Sequence, residues 1–244
     1  MSEYNSAEVQ RVEEIYERRS RTAKPVYGYM YPANLFNIQE RERRILGRIN
    51  ALYEGSLEHL RILEVGCGWG FWLRAFIAWG ANPECVAGID ILPERVEKAR
   101  KSLPSSVDVR CVPATRLPYP DSQFDLVFQS TVFSSIPDEH TRKSAAKEML
   151  RVLKPDGVIL WYDFLIGNPR NRDVRGIRMR EINELFPRCV ISSERLTLPP
   201  PLTRLLVPRA RLLCSLIAWS NIASVCHLAV IRKAGDNSER YDHS

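Results

Sequence analysis

Two carboxylates and three glycines carry the first chemical signal in the chain. Glu64 closes a short apolar run and opens the pattern Glu64-x-Gly66-x-Gly68-x-Gly70, and twenty residues past Gly70 a second run, Cys85-Val86-Ala87-Gly88-Ile89, ends in Asp90. Glycines at every second position call for a turn in which backbone comes close to a ligand. A carboxylate at the end of the first strand repels a pyrophosphate but attracts an ammonium group through water. One at the end of the second strand reaches the paired hydroxyls of a ribose. Together they suit a nucleoside that bears a cationic amino acid. A dinucleotide suits them poorly, because G-x-G-x-x-G counted from Gly66 needs a small residue where Phe71 stands.

Such a site needs a sheet to hold it. Apolar, strand-like runs fall at 61–66, 85–90, 107–112, 124–130 and 157–163, and helical patterns fall near 69–79, 93–103 and 138–153. That alternation predicts a parallel sheet with right-handed crossovers. Pro93 stands where a first helical turn accepts it, and Pro155-Asp156-Gly157 punctuates the end of the long helix. Beyond Asp163 the pattern predicts a loop, a short helix to Phe186, a strand near 189–197, a proline-broken helical region and a last strand near 224–231.

From Arg61 to Asp163 these features resemble the class I S-adenosylmethionine (SAM) dependent methyltransferases, a family that includes UbiE-like quinone and small-molecule enzymes. Besides the glycine motif and Asp90, the run LPYPDSQFDLVF matches the family's L-P-[YF]-x-D-x-x-F-D-x-V pattern, and LKPDG precedes the fifth strand as it commonly does there. The resemblance implies an α/β, Rossmann-like sheet of seven strands, mostly parallel with an antiparallel last strand, helices on both faces and an N-terminal helical cap. It divides the chain into a cap at 1–57, a SAM-binding domain at 58–234 and a polar tail at 235–244. It also implies SAM as cofactor, with S-adenosyl-L-homocysteine as product. Glu64, Gly66, Cys67, Gly68 and Gly70 would hold the methionyl end, Asp90 and Ile91 the ribose side, Ala114 and Thr115 the adenine edge, and Gln129 and Ser130 the region of the reacting methyl. Pro113 departs from the pattern, since many relatives carry an aspartate there.

The acceptor side offers fewer residues. The stretch Val132-Phe133-Ser134-Ser135 has a serine where related enzymes often have a histidine. Asp163, at the end of the fifth strand, is the favoured candidate base, and His140, at the start of a helix, is the second; catalysis by positioning alone is the alternative. Arg170 to Arg180 holds five arginines in eleven residues, which reads either as a clamp for an anionic acceptor or as a solvated helix face. The expected acceptor is a sugar or other anionic small molecule, with a quinone or lipid-like molecule as the alternative. A SAM-binding partner subunit without turnover is a further alternative. Nucleic acid is not expected, because the fourth strand ends Gln129-Ser130-Thr131 and lacks the [DNS]-P-P-[YFW] of base-modifying enzymes.

Composition sets the outer bounds. The chain has 244 residues, 45% of them hydrophobic, enough for one core. A net charge of +6 suits an anionic partner without choosing one. Six scattered cysteines without a C-x-x-C pair read as buried thiols of a reducing compartment and not as metal ligands, and the polar N-terminus has no secretory core, so a cytoplasmic location is expected. Residues 212–231 lack charge over the length of a membrane span, but Ser-Asn-Ile-Ala-Ser at 220–224 breaks them into a helix and a strand. The leucines and arginines of 199–219 allow peripheral contact with a membrane, although a core-covering helix is the preferred reading. In the N-terminal part, Val9, Val12 and Ile15 recur at helical spacing, and a second helix is expected from Asn34 as cap. Tyr27, Tyr29 and Tyr31 read equally as an aromatic flap over the cofactor or as packing for the cap.

Overall fold

The computed structural model describes residues 29–167 and 174–234, together with Glu14. The expected first helix, Tyr27, Arg170, Arg172 and the polar tail lie outside the described residues.

Seven strands form one sheet: β1 (Ile62–Val65), β2 (Val86–Asp90), β3 (Asp108–Cys111), β4 (Phe124–Ser130), β5 (Leu153–Phe164), β6 (Cys189–Leu196) and β7 (Cys226–Lys233). Their order is β3-β2-β1-β4-β5-β7-β6. The first five pair in parallel, and β7 runs against both β5 and β6. The chain reverses its direction of sheet growth between β3 and β4, so β1 and β4 adjoin at the switch point where open α/β sheets bind ligands.

Alternation along each strand sorts the core into two faces. Leu126 and Phe128 of β4, with Val158, Leu160 and Tyr162 of β5, turn to one side, where α1 (Pro32–Tyr53), α2 (Phe71–Ala78) and α3 (Pro93–Ser102) cover them. Val127, Ile159 and Trp161 turn to the other, under α4 (Glu139–Val152) and α5 (Met179–Leu185). Strands buried on both faces read as continuous apolar runs, which is why the sequence marks them clearly.

Helix α1 begins two residues before the expected cap. Pro32 takes the first turn, where its missing N–H costs nothing, Tyr31 occupies the cap position, and Asn34 already donates to the Tyr31 carbonyl at 3.0 Å. The helix runs along the sheet face: near its middle Arg44 and Arg48 both bond Glu194 of β6, at 2.9 and 2.7 Å, and at its end the Tyr53 hydroxyl donates to the Asp125 carbonyl. Two short helices, α6 (Pro200–Leu206) and α7 (Arg211–Ser220), form a cap on α1, where Phe36, Leu198, Val207 and Cys214 make a small third core. Asn221 ends α7 in a left-handed conformation before β7 begins. Among the described residues no helix is long and apolar enough to cross a membrane.

Candidate active site

The glycine turn is built by its backbone. Gly66, Gly68 and Gly70 have φ of 75°, 53° and 74°, which side-chain-bearing residues adopt at a cost. The amides of Gly66 and Cys67 both donate to the Ile89 carbonyl at 2.8 Å, tying the turn to the end of β2. A Cβ at Gly66 would lie 2.3 Å from Val132, so the turn after β4 closes onto the turn after β1. Gly70 has a different task. It starts α2 beside Ala99 and Leu103 and does not line the crevice, so its predicted contact with a ligand becomes a packing role.

Asp90 completes that frame. One carboxylate oxygen accepts the Gly68 amide at 2.9 Å and the other accepts the Leu92 amide at 3.0 Å, which fixes the side chain at the crevice wall. Each oxygen keeps a second lone-pair direction for a ligand hydroxyl. Glu64 is buried and also lines the crevice, and its Oε2 has no hydrogen-bond partner. Burial pushes its carboxyl well above the usual range, and the neighbouring Asp90 charge adds to the rise. An acid in that condition gains most from an incoming cation.

A second unpartnered group faces the same space. Arg41 of α1 lines the crevice with its guanidinium carbon 5.1, 5.5 and 5.9 Å from the ring centroids of Trp72, Tyr162 and Phe71. Its Nε is buried without a partner. Aromatic faces hold the cation in place but do not satisfy its Nε–H, which leaves that donor for an anion. Glu64 and Arg41 therefore offer a carboxylate and a cation in one crevice, the arrangement an amino-acid zwitterion needs. The donor set fits SAM.

The crevice measures about 970 Å³, at the upper end of the roughly 300–1,000 Å³ usual for small-molecule sites. Glu64, Gly66, Cys67, Gly68, Asp90 and Ile91 line it as predicted, and Ala114, Thr115 and Ser130 continue the wall toward β4. Burial and the nearby carboxylates raise the Cys67 thiol, so it is a packing group and not a nucleophile. Trp69 stands at the rim with Arg95 and Lys98 over its ring. Tyr29 is exposed, with its ring 6.4 Å from Phe71, and does not line the crevice.

Three predicted residues lie elsewhere. Gln129 is wholly buried: its Nε2 donates to the Tyr162 carbonyl and its Oε1 accepts the Val132 amide, so it shapes the turn after β4 from below. Asp163 is also wholly buried and absent from the crevice wall. Its oxygens accept the Ser134 amide at 3.2 Å and the Phe164 amide at 2.8 Å, and burial raises it to about 6. Strand alternation is the reason: Ile159, Trp161 and Asp163 point to the α4 side, away from Glu64. His140 is exposed on the first turn of α4, while its neighbour Thr141 lines the crevice. Arg41, Trp72, Thr131, Val132 and Ser135 were not foreseen. The turn after β4 gave some signal through its family position, whereas Arg41 sits in the charge-dense run Glu40-Arg41-Glu42-Arg43-Arg44, which marks no one arginine.

The arginine run does not reach the crevice in the part described. Arg175 pairs with Glu181, and Arg180 with Glu184 at 2.9 Å, around a separate cleft between α4 and α5.

The fold and the glycine-turn site are those of a class I SAM-dependent methyltransferase domain, and residues 62–157 match the family described as "Methyltransferase domain". The chain is 35% identical over 131 residues to 27-O-demethylrifamycin SV methyltransferase of Amycolatopsis mediterranei, covering 51% of this chain and 46% of that one. It is 31% identical over 152 residues to the ubiquinone biosynthesis O-methyltransferase of Bordetella avium, covering 61% and 60%. The match thus spans about half the length of these relatives. A SAM-dependent methyltransferase from Methanosarcina mazei has the same fold, with a TM-score of 0.54, 18% identity and coverage of 75% of this chain and 96% of that one.

Proposed function

We propose that the chain transfers a methyl group from SAM to a hydroxyl on an apolar, ring-bearing small molecule. The observation that carries this reading is the composition of the crevice beyond the cofactor residues. Phe71, Trp72, Val132 and Ile136 wall it, and among its described lining residues the only carboxylates are Glu64 and Asp90, with no histidine.

SAM supplies a sulfonium methyl that is open to in-line displacement. The chain's own residues do the rest. Asp90 orients the ribose, Glu64 takes the ammonium and Arg41 the carboxylate, so the cofactor is held at both ends. The aromatic wall keeps water out and positions a flat acceptor. Among the described lining residues no base stands at the acceptor side, so the hydroxyl must ionise readily by itself. A phenol, with a reference pKa of about 10 as in tyrosine, does so far more easily than an aliphatic sugar hydroxyl. Similarity to the ubiquinone biosynthesis O-methyltransferase of Bordetella avium supports a quinol-type acceptor. A sugar or other anionic acceptor is the second reading, favoured by Arg116 in the crevice.

The test is transfer of labelled methyl from SAM to hydroquinones, simple phenols, sugar phosphates and uronic acids, run beside calorimetry of SAM binding. Methylated hydroquinone or phenol is expected. Tight SAM binding without transfer to any acceptor would make the chain a cofactor-binding partner subunit. Absence of SAM binding would end the reading altogether.

A further inference from the structure

Among the described residues, the small C-terminal cap leaves an apolar face without a partner. Helix α7 turns Cys214 and Ala218 inward against α1 and α6, which accounts for one side. Its other side presents Leu212, Leu216 and Trp219 at helical spacing, 82%, 63% and 79% exposed. Leu205 of α6 and Ile222 just past the helix are exposed as well. The core beneath explains none of these five side chains. Scattered exposed leucines are ordinary, but a helix with apolar groups on both sides marks contact with something apolar.

Charge selects the occupant. From Arg195 to Ala234 the chain has no Asp or Glu, while Arg209 and Arg211 stand beside the exposed leucines and are exposed themselves. In a two-fold pair of identical chains this face would meet its own copy, bringing arginines against arginines with no carboxylate of the segment to answer them. A surface that is apolar beneath and anionic above meets both requirements.

We propose that this face docks on an anionic lipid bilayer. Leu212, Leu216, Trp219 and Ile222 enter the boundary between headgroups and acyl chains, and Arg209 and Arg211 meet the phosphates. The cap rests on α1 through Phe36 and through Asn37, whose amide lies 3.4 Å from the Leu198 carbonyl, and Arg41, one turn further along α1, lines the crevice. Docking thus sets the crevice-bearing helix next to the membrane. The proposal concerns a surface outside the cofactor site, so vesicle binding can fail while methyl transfer stands, and the reverse.

The experiment is cosedimentation of the full chain with vesicles of phosphatidylcholine alone and of phosphatidylcholine mixed with phosphatidylglycerol. Binding to the mixed vesicles is expected, weakening as salt rises, with a blue shift of tryptophan emission that Trp219→Phe removes. The double variant Leu212→Glu, Leu216→Glu should bind roughly tenfold or more weakly while melting normally and binding SAM as the parent does. Equal binding by parent and variant would overturn the proposal, as would indifference to phosphatidylglycerol. A dimer in sedimentation velocity that the double variant splits would give the face to a second copy instead.

Discussion

The guanidinium carbon of Arg41 lies 5.1 Å from the centroid of the Trp72 ring, and the Nε of the same arginine is buried with no acceptor. The three surrounding rings hold the cation in place without using its N–H donors. A carboxylate is the planar anion that a guanidinium fork takes in two bonds. Replacing Arg41 by Met keeps most of the buried stem and removes the fork. SAM affinity should then fall by about 1.5–3 kcal/mol, the usual size of a charge-assisted bond, with Arg41→Lys between the two. Calorimetry measures this. Unchanged SAM affinity with a raised KM for the acceptor would instead assign Arg41 to the acceptor.

Glu64 makes cofactor binding a proton-coupled event. Its folded-state carboxyl is held well above the ordinary value by burial, then by the Asp90 charge. An arriving ammonium group reverses that preference, so the carboxyl ionises and a proton leaves. Calorimetry in buffers of different ionisation enthalpy should show proton release that disappears in Glu64→Gln. The sign for the cofactor-free protein follows from linkage. A raised carboxyl favours the folded state at low pH, and this contribution is lost as pH rises from the unfolded value through the folded one. Above that window Glu64→Gln should melt higher than the parent while binding SAM more weakly; a lower melting temperature there would count against the assignment.

The sheet was legible because its strands are buried on both faces and spell themselves as apolar runs between glycines and prolines. Glu64, Asp90, Gly66 and Gly68 were legible for a related reason, since a residue at the end of β1 or β2 reaches the crevice through backbone geometry that the motif dictates. Gln129 and Asp163 stand at equivalent strand ends, yet both turn to the α4 side and are covered by the turn at Val132–Ser134. Which face a strand-end residue takes depends on register, and a polar side chain there gives no sign of it. Arg41 was hidden for the opposite reason. Its helix is dense in charge, and only the packing of α1 against Trp72 and Tyr162 singles it out.

Asp163 allows that distinction between a reactive and a structural carboxylate to be tested. Seated under the turn after β4, it accepts the Ser134 and Phe164 amides and is closed to the crevice, and burial raises its carboxyl to about 6. As a base it would impose its own ionisation on turnover. As a structural group it acts on stability, and the sign is fixed: between the unfolded value near 3.8 and the folded value near 6 the native state holds the extra proton, so its contribution is lost as pH rises through that interval. About two units at roughly 1.4 kcal/mol each amount to ~3 kcal/mol. The stability of Asp163→Asn relative to the parent should therefore improve by up to that amount from pH 4 to pH 8, measured by denaturant unfolding at each pH. Its kcat should stay within a few-fold of the parent, with no change in the shape of the pH–rate profile. If turnover instead collapsed while SAM binding and the fold survived, Asp163 would have to reach the acceptor during the reaction, and the crevice without a base would have to be abandoned as the guide to the acceptor.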